Sequence, residues 1–340
     1  MNDEAMNLAT ESSDSRRDAF AIAAEKRGFL PLVIEKDFWV CWTLERLFAL
    51  PDFGGHLLFK GGTNLSKVYG AIQRFSEDID LSLSRASFSE GVPDPEQAAS
   101  NTQRKLRADA LVAAFRDTVT DRLLPALSAG IAEQLGEEGW TLTQDGLDPG
   151  TLHFAYPCAL DGEPSYIRPE VRIELGGRSD DWPAESRTVR AYVAEELPQI
   201  MPAAIHVRVL AVRRTFWEKA TILHAEYHRL PGKAPGERLS RHYSDLAQMA
   251  GTDVEAQALA DLPLLARVRA HKATFYTAPW ASYETALPGT LRLVPRPERL
   301  AGLRSDYRGM GAMFFGPPLP FDTMMKKIAE LEGRINSPAG

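Results

Sequence analysis

The sequence has only two cysteines, Cys41 and Cys158, in 340 residues. Two thiols cannot make a disulfide framework, so a reducing cytoplasmic compartment is expected. No CxxC pair occurs, which removes the usual structural zinc site. Long apolar runs are missing as well. Nothing approaches the roughly 18 to 20 consecutive apolar residues of a membrane span, so no membrane partner is expected. The first twenty residues, MNDEAMNLATESSDSRRDAF, are polar and acidic where a signal peptide is basic and then apolar. An excess of positive charge is also absent. With 39 Lys plus Arg against 46 Asp plus Glu, the formal net charge is −7. That excludes a protein that coats nucleic acid through bulk charge, but not a local basic groove on an acidic body.

What is present is a globular composition, 44 % hydrophobic and 25 % charged, in a chain long enough for two domains. Phe20, Ala23 and Ala24 are spaced for a short helix over 15–28 that Gly28 ends. Pro31 opens a second, strongly apolar helix. Residues 56–60 (HLLFK) read as a buried strand, followed by Gly61-Gly62 and a helical pattern over 63–69. Ile79, Leu81 and Leu83 alternate with Asp78, Asp80, Ser82 and Ser84, which is the period of a strand. A long helix is expected over 102–127, with Pro125 kinking or ending it. Strands are expected over 152–160, 166–175, 188–193 and 205–212. Beyond Arg213 the pattern turns helical, breaks at PGKAPGE, and resumes at SRHYSDLAQMA, with a last helix over 321–335. The fold class is therefore α/β or α+β, with residues 1–212 as a catalytic domain and 213–340 as a mostly helical domain.

The stretch that carries chemistry is FKGGTNLSKVYGAIQRFSEDIDL, from Phe59 to Leu81. Asp78 and Asp80, two apart on a strand, put both carboxylates on one face, roughly 7 Å apart at the backbone. They repel unless a cation lies between them, and Mg²⁺ with its demand for oxygen ligands is the obvious one. At the other end, Gly61, Gly62 and Thr63 join a strand to a helix. Glycines let the backbone approach a phosphate, and the helix N-terminus adds N–H donors. The Thr63 hydroxyl can donate to a phosphate oxygen or cap the helix. Each piece alone is commonplace. Together, on one strand–loop–helix–strand unit, they supply a triphosphate cradle and a metal site, as phosphoryl or nucleotidyl transfer requires.

These residues resemble a known family. GGT followed by RFSEDIDL is similar to the signature of polymerase-β-like nucleotidyltransferases. With IEKDFWV (34–40), RTFWEKATILH (214–224) and RHYSDL (241–246), the wording resembles the AbiEii/AbiGii abortive-infection toxins. The resemblance spans about 34–249. It implies a polymerase-β-like core with a mixed sheet and flanking helices, joined to a helical substrate-binding domain. It implies a Mg²⁺-dependent toxin of a toxin–antitoxin system, with an antitoxin protein as possible partner. Such toxins include ones that transfer a nucleotide from an NTP to an RNA 3′ end, tRNA above all; the alternatives are a nucleotidyltransferase that modifies a protein or small molecule, and a non-catalytic partner-binding regulator that keeps the fold. Asp78 and Asp80 match the metal-binding pair, Gly62 and Thr63 the phosphate-contacting residues, and Arg74 and Ser76 lie inside the same motif. Lys219 matches a lysine expected to neutralise phosphate charge, and Asp245 a further active-site acid.

The residues themselves support part of this. In EVRIEL, Glu170, Arg172 and Glu174 share one face, and Glu174 is the best candidate for a third carboxylate completing a two-metal site. The same pattern also reads as an amphipathic strand with an Arg–Glu surface pair. On its helix Lys219 lies at the edge of the stripe Phe216, Ala220, Leu223 and Tyr227, where a snorkelling surface lysine is the ordinary reading. Asp245, on the flank of its helix, reads by itself as a solvated acid or a helix salt-bridge partner. Whether Glu174 or Asp245 is the third acid stays open. Glu35-Lys36-Asp37 reads as a charged first turn with a supporting structural role. From Arg208 to Arg241, eight basic residues face three acids, a local excess of five (8 − 3) that suits either an RNA backbone or a solvated surface.

Overall fold

The structure, a computed structural model, describes residues 6–160, 168–201, 204–230, 232–233, 236, 238–276 and 278–337. The chain divides into two compact units. The first holds 1–68, 76–94 and 105–210, and the second holds 69–75, 95–104 and 211–340.

In the first unit, α1 (Ser13–Arg27) ends at Gly28, whose left-handed backbone closes it as the sequence requires. After a two-residue strand, β1 (Met6–Asn7), paired with β8 (Ile200–Met201), the main sheet has seven strands. These are β2 (Leu57–Lys60), β3 (Asp78–Leu83), β4 (Thr141–Gln144), β5 (Thr151–Ala155), β6 (Glu170–Gly176), β7 (Ala184–Val189) and β9 (Ile205–Leu210). Their order is β4-β5-β6-β3-β2-β9-β7. β2 and β3 run antiparallel, while β2–β9 and β3–β6 run parallel, so the sheet is mixed, as the sequence led us to expect. Against it lies α2 (Pro31–Phe48), opened by its proline. Trp39 stacks on Tyr156 at 5.3 Å and Trp42 on Phe154 at 5.8 Å, which fixes the helix on the sheet by buried aromatic area.

The segment after β2 forms one helical turn, α3 (Gly61–Thr63), continued by a π-turn over Asn64–Val68. The long helix is interrupted where expected. α4 (Asn101–Thr118) passes through a π-turn, Val119–Leu123, into α5 (Leu124–Leu135), because Pro125 has no N–H to give the turn before it. Two expectations are corrected. The strand expected over 152–160 ends at Ala155. Residues 188–193 are not a strand throughout: β7 ends at Val189 and α6 (Tyr192–Glu196) follows. β4 carries no apolar alternation and is an edge strand found only through its pairing with β5. Residues 166 and 167 of the strand expected over 166–175 lie outside the described residues, as do 231, 234, 235 and 237 of the PGKAPGE loop.

The second unit is helical. It contains α7 (Val212–His228), α8 (Ser240–Met249), α9 (Asp253–Leu259), α10 (Leu262–Phe275), α11 (Leu300–Gly309) and α12 (Phe321–Asn336). Its core gathers Phe216, Trp217, Leu223, Tyr243, Leu246 and Ile328, all fully buried or nearly so. The segment 69–75 is held in this unit by backbone pairing. Arg74 bridges Phe314, and Phe75 N–H donates to the Met313 carbonyl at 2.6 Å. Among the described residues, no helix is long and apolar enough to cross a membrane.

Candidate active site

In the first unit, the strand alternation of β3 buries Ile79, Leu81 and Leu83 and leaves Asp78 and Asp80 half-buried on the other face. Gly61, at the end of β2, has φ +79°, and a Cβ placed on it would fall 1.8 Å from Asp80 Oδ2. The glycine loop is therefore pressed against the second acid. Thr63, 1 % exposed, donates its hydroxyl to the Asp78 carbonyl at 2.5 Å. Of the two roles open to that hydroxyl, neither is what it does here: it ties the loop to the acid strand. Gly62 sits within the same helical turn, and Ser76 is half-buried just before β3.

Parallel pairing sets Asp78 opposite Arg172 and Asp80 opposite Glu174 on β6. Glu174 thus stands beside the acid pair, but its carboxylate takes a hydrogen bond from Arg172 Nη1 at 2.6 Å. The Arg–Glu pair of the EVRIEL strand exists, and strand pairing sets it beside the aspartates. Burial, and then the Asp80 and Glu77 charges, push the Asp78 carboxyl above the usual range, while Arg172 and Lys36 oppose the shift. Lys36 was expected only as part of a charged first turn on α2. Instead it is buried, donating to the carbonyls of Arg168 (3.0 Å) and Glu170, and lies 3.4 Å from Glu77. Its neighbours Glu35 and Asp37 are buried too. Asp37 accepts from Lys67 of the π-turn at 2.7 Å, so α2 grips the turn that follows the glycine loop.

Two clustered carboxylates with the nearer one destabilised in its ionised form are a donor set that suits Mg²⁺, which commonly takes one or two carboxylates and completes its shell from water and phosphate. Among the described residues there is no group of three or more His, Cys, Asp or Glu placed to hold a metal, so the three-acid set with Glu174 is not assembled in this geometry. The Arg172 guanidinium lies 2.6 Å from one Glu174 oxygen.

The second unit carries the other candidates. Asp245, on α8, is fully buried rather than solvated. It takes a bidentate pair from Arg74, at 2.7 and 2.9 Å, and Lys219 Nζ at 2.8 Å. Burial opposes its charge, but Arg74 and Lys219 outweigh that and hold the carboxyl far below the usual range. Lys219, on α7, is 6 % exposed, so it is not a snorkelling surface residue. Burial pushes its ammonium down, against the Asp245 charge. His242 Nδ1 lies 3.4 Å away, with burial and then Lys219 and Arg241 keeping the ring neutral. Arg74 and Lys219 thus share the Asp245 carboxylate in this buried cluster.

The basic stretch 208–241 is less available than its count suggested. Arg208, Arg213, Arg214 and Arg229 are ion-paired with Asp181, Asp261, Glu218 and Glu226, and Lys219 with Asp245. The sequence reading paired Arg172 with Glu174 and gave Lys36 a structural role; the burial of Lys36 and the approach of His242 to Lys219 had no local signal.

The first unit sets a glycine loop against paired acids on a mixed sheet, and the second unit is helical, an arrangement that suits nucleotidyl transfer. The chain belongs to the AbiEii family: the family described as nucleotidyl transferase AbiEii toxin, type IV toxin–antitoxin system, matches residues 42–327. Among solved structures it is similar to MenT4, a nucleotidyltransferase toxin from Mycobacterium tuberculosis H37Rv. The identity is 17 %, with a TM-score of 0.44 over 94 % of this chain and 99 % of that one. No curated protein matches the sequence.

Proposed function

We propose that this AbiEii-family toxin transfers a nucleoside monophosphate from an NTP to the 3′ end of an RNA, the tRNA acceptor end above all, and so blocks translation. Residues 1–212 serve as the nucleotidyltransferase domain and 213–340 as the substrate-binding domain. The observation that carries the transfer chemistry is the juxtaposition of Gly61 with Asp80 on β3. It puts a bare backbone, able to approach phosphate, beside a paired carboxylate site.

Mg²⁺, when bound, supplies Lewis-acid stabilisation of the phosphates, and Asp78 and Asp80 would hold it. The chain's own residues do the rest. The backbone N–H groups around Gly61 and Gly62 receive phosphate oxygens, and Thr63 keeps that loop fixed to the acid strand. The RNA 3′-hydroxyl attacks the α-phosphorus, the bond to the β-phosphate breaks, and pyrophosphate leaves. Glu174 is the carboxylate placed to receive the hydroxyl proton once Arg172 turns away. Asp245 is a poor proton acceptor, because cations occupy both its oxygens, and we assign it the positioning of Arg74 and Lys219. Lys219 is the lysine that the family resemblance assigns to neutralising phosphate charge. A cognate antitoxin is the expected protein partner of a type IV system.

The test is incubation with each [α-³²P]NTP and a tRNA pool. Labelled RNA should form with wild type and vanish with Asp80→Ala. Label on protein instead of RNA overturns the RNA assignment.

A further inference from the structure

The second unit contains a cavity of about 570 Å³ that the chemistry above does not use. One wall is the segment 69–73, and the facing wall is the stretch Phe314 to Leu319, FFGPPL, which lies outside the recognised motifs. The two walls are joined at one end. Phe315 N–H donates to the Gln73 carbonyl at 3.3 Å, beside the Arg74–Phe314 bridge. The floor is α8, through Ser244 and Gln248. Gln248 is spent on structure: its Oε1 accepts from Gln73 N–H at 2.6 Å, and its Nε2 donates to Ser244 Oγ at 3.2 Å.

The lining has a definite chemical character. Tyr69, Tyr307 and Phe314 supply aromatic surface, with the last two rings 5.6 Å apart and edge-on. Gln73 is exposed and offers a side-chain amide at the rim. One acid, Asp253, and one base, Lys327, complete the charged lining and cancel. A cavity whose charges cancel does not select a phosphate. Rings with an amide at the edge suit a flat, neutral heterocycle that stacks and exchanges paired hydrogen bonds, as a nucleobase does with aromatic and amide side chains. The volume lies in the range of small-molecule sites and leaves room for the attached sugar.

We propose that this cavity seats an unpaired nucleobase. Its walls are continuous with the residues that position charge: Gln73 precedes Arg74 and Ser244 precedes Asp245 in the chain. A base held here therefore sits on the same two backbone segments that carry the Arg74–Asp245 pair. Such a seat deepens the RNA-directed reading and depends on it for its substrate class. The base comes either from a single-stranded RNA end or from a free nucleoside, and the two are separable.

The experiment uses the full chain without NTP or metal, so transfer activity plays no part in its readout. Binding of adenosine, of cytidine, and of a short single-stranded RNA is measured by calorimetry. A 4-thiouridine version of the RNA is photocrosslinked and the adduct mapped by mass spectrometry. Two variants accompany the wild type: Gln73→Ala, which removes the rim amide, and Val254→Trp, which fills the cavity from the first turn of α9. Both should keep the wild-type unfolding midpoint and weaken binding about tenfold or more, the size expected for one stacked base. Crosslinks should fall on Tyr69, Tyr307 or Phe314. Binding of RNA alone assigns the seat to a strand, and binding of nucleosides as well assigns it to the base itself. Absence of binding by every probe, equal affinity in both variants, or crosslinks confined elsewhere overturns the proposal. In the separate labelling assay with NTP and metal, RNA labelling by a chain that shows no binding here sinks this site and leaves the transfer reading intact. Binding without any labelling does the reverse.

Discussion

Gly61 and Asp80 are packed so closely that the glycine's missing Cβ is occupied by the aspartate carboxylate, 1.8 Å from where the Cβ would be. The backbone at Gly61 also has φ +79°, which L residues with side chains adopt at a cost. Gly61→Ala therefore meets a clash and a strained dihedral together. The variant should lose about 1–3 kcal/mol of stability in urea unfolding, and its RNA labelling should fall at least as far as its fraction folded. The neighbouring Gly62→Ala, inside the helical turn and without positive φ, should fold at near wild-type stability. Equal stability losses in the two variants would contradict the close approach.

The buried Arg74–Asp245–Lys219 cluster makes a different prediction. Removing one partner of a buried ion pair leaves an uncompensated charge, at about 3–5 kcal/mol. Asp245→Asn removes the buried anion that Arg74 and Lys219 share, so it should destabilise strongly. The double variant Asp245→Asn plus Lys219→Met should recover part of that loss in thermal unfolding while labelling stays absent. Arg74→Lys should not restore the wild type, because an ammonium cannot reproduce the bidentate bonds of the guanidinium.

The same cluster marks where the sequence stops being legible. β3 was readable because its alternation is local, and so was the glycine loop. α1 and α2 carried their own stop and start signals in Gly28 and Pro31. The burial of Asp245 was not legible because the residues that pair with it are distant in the chain: Arg74 is 171 positions away. No periodicity within α8 reports a partner on another segment. The structural role read for Lys36 is the one it has, but its burial was not legible for the same reason, since its acceptors are the distant Arg168 and Glu170 carbonyls. β4 was invisible because an exposed edge strand needs no apolar alternation.

Acid should weaken the second unit through His224. Its Nδ1 accepts from Arg292 N–H at 3.0 Å, and its Nε2 faces the Ser282 carbonyl and Thr285 hydroxyl. Burial lowers its pKa from 6.5 to about 4, with the Ser282 carbonyl opposing. The folded value lies below the unfolded one, so the unfolded chain takes up the proton first. The contribution to stability is complete above about pH 6.5 and is lost as pH falls toward 4. Unfolding midpoints measured across that window should drop in wild type. His224→Gln, whose amide can both accept and donate, should flatten that part of the profile.

Asp78 makes the sharpest link between electrostatics and function. Burial together with Asp80 and Glu77 raises its pKa above the unfolded value, so ionised Asp78 costs the fold stability near neutral pH. Asp78→Asn removes the charge and keeps the shape. In metal-free buffer the variant should unfold at a higher temperature than wild type at pH 7.5. The difference should shrink as pH falls toward the carboxylate range, where wild-type Asp78 takes up its own proton. Adding millimolar MgCl₂ should raise the wild-type midpoint and leave the variant nearly unmoved, because a ligand that binds only the folded state stabilises it by mass action. RNA labelling by the variant should be absent throughout. A variant less stable than wild type in metal-free buffer would show that Arg172 and Lys36 already neutralise the acid pair, and that no cation is needed to relieve it.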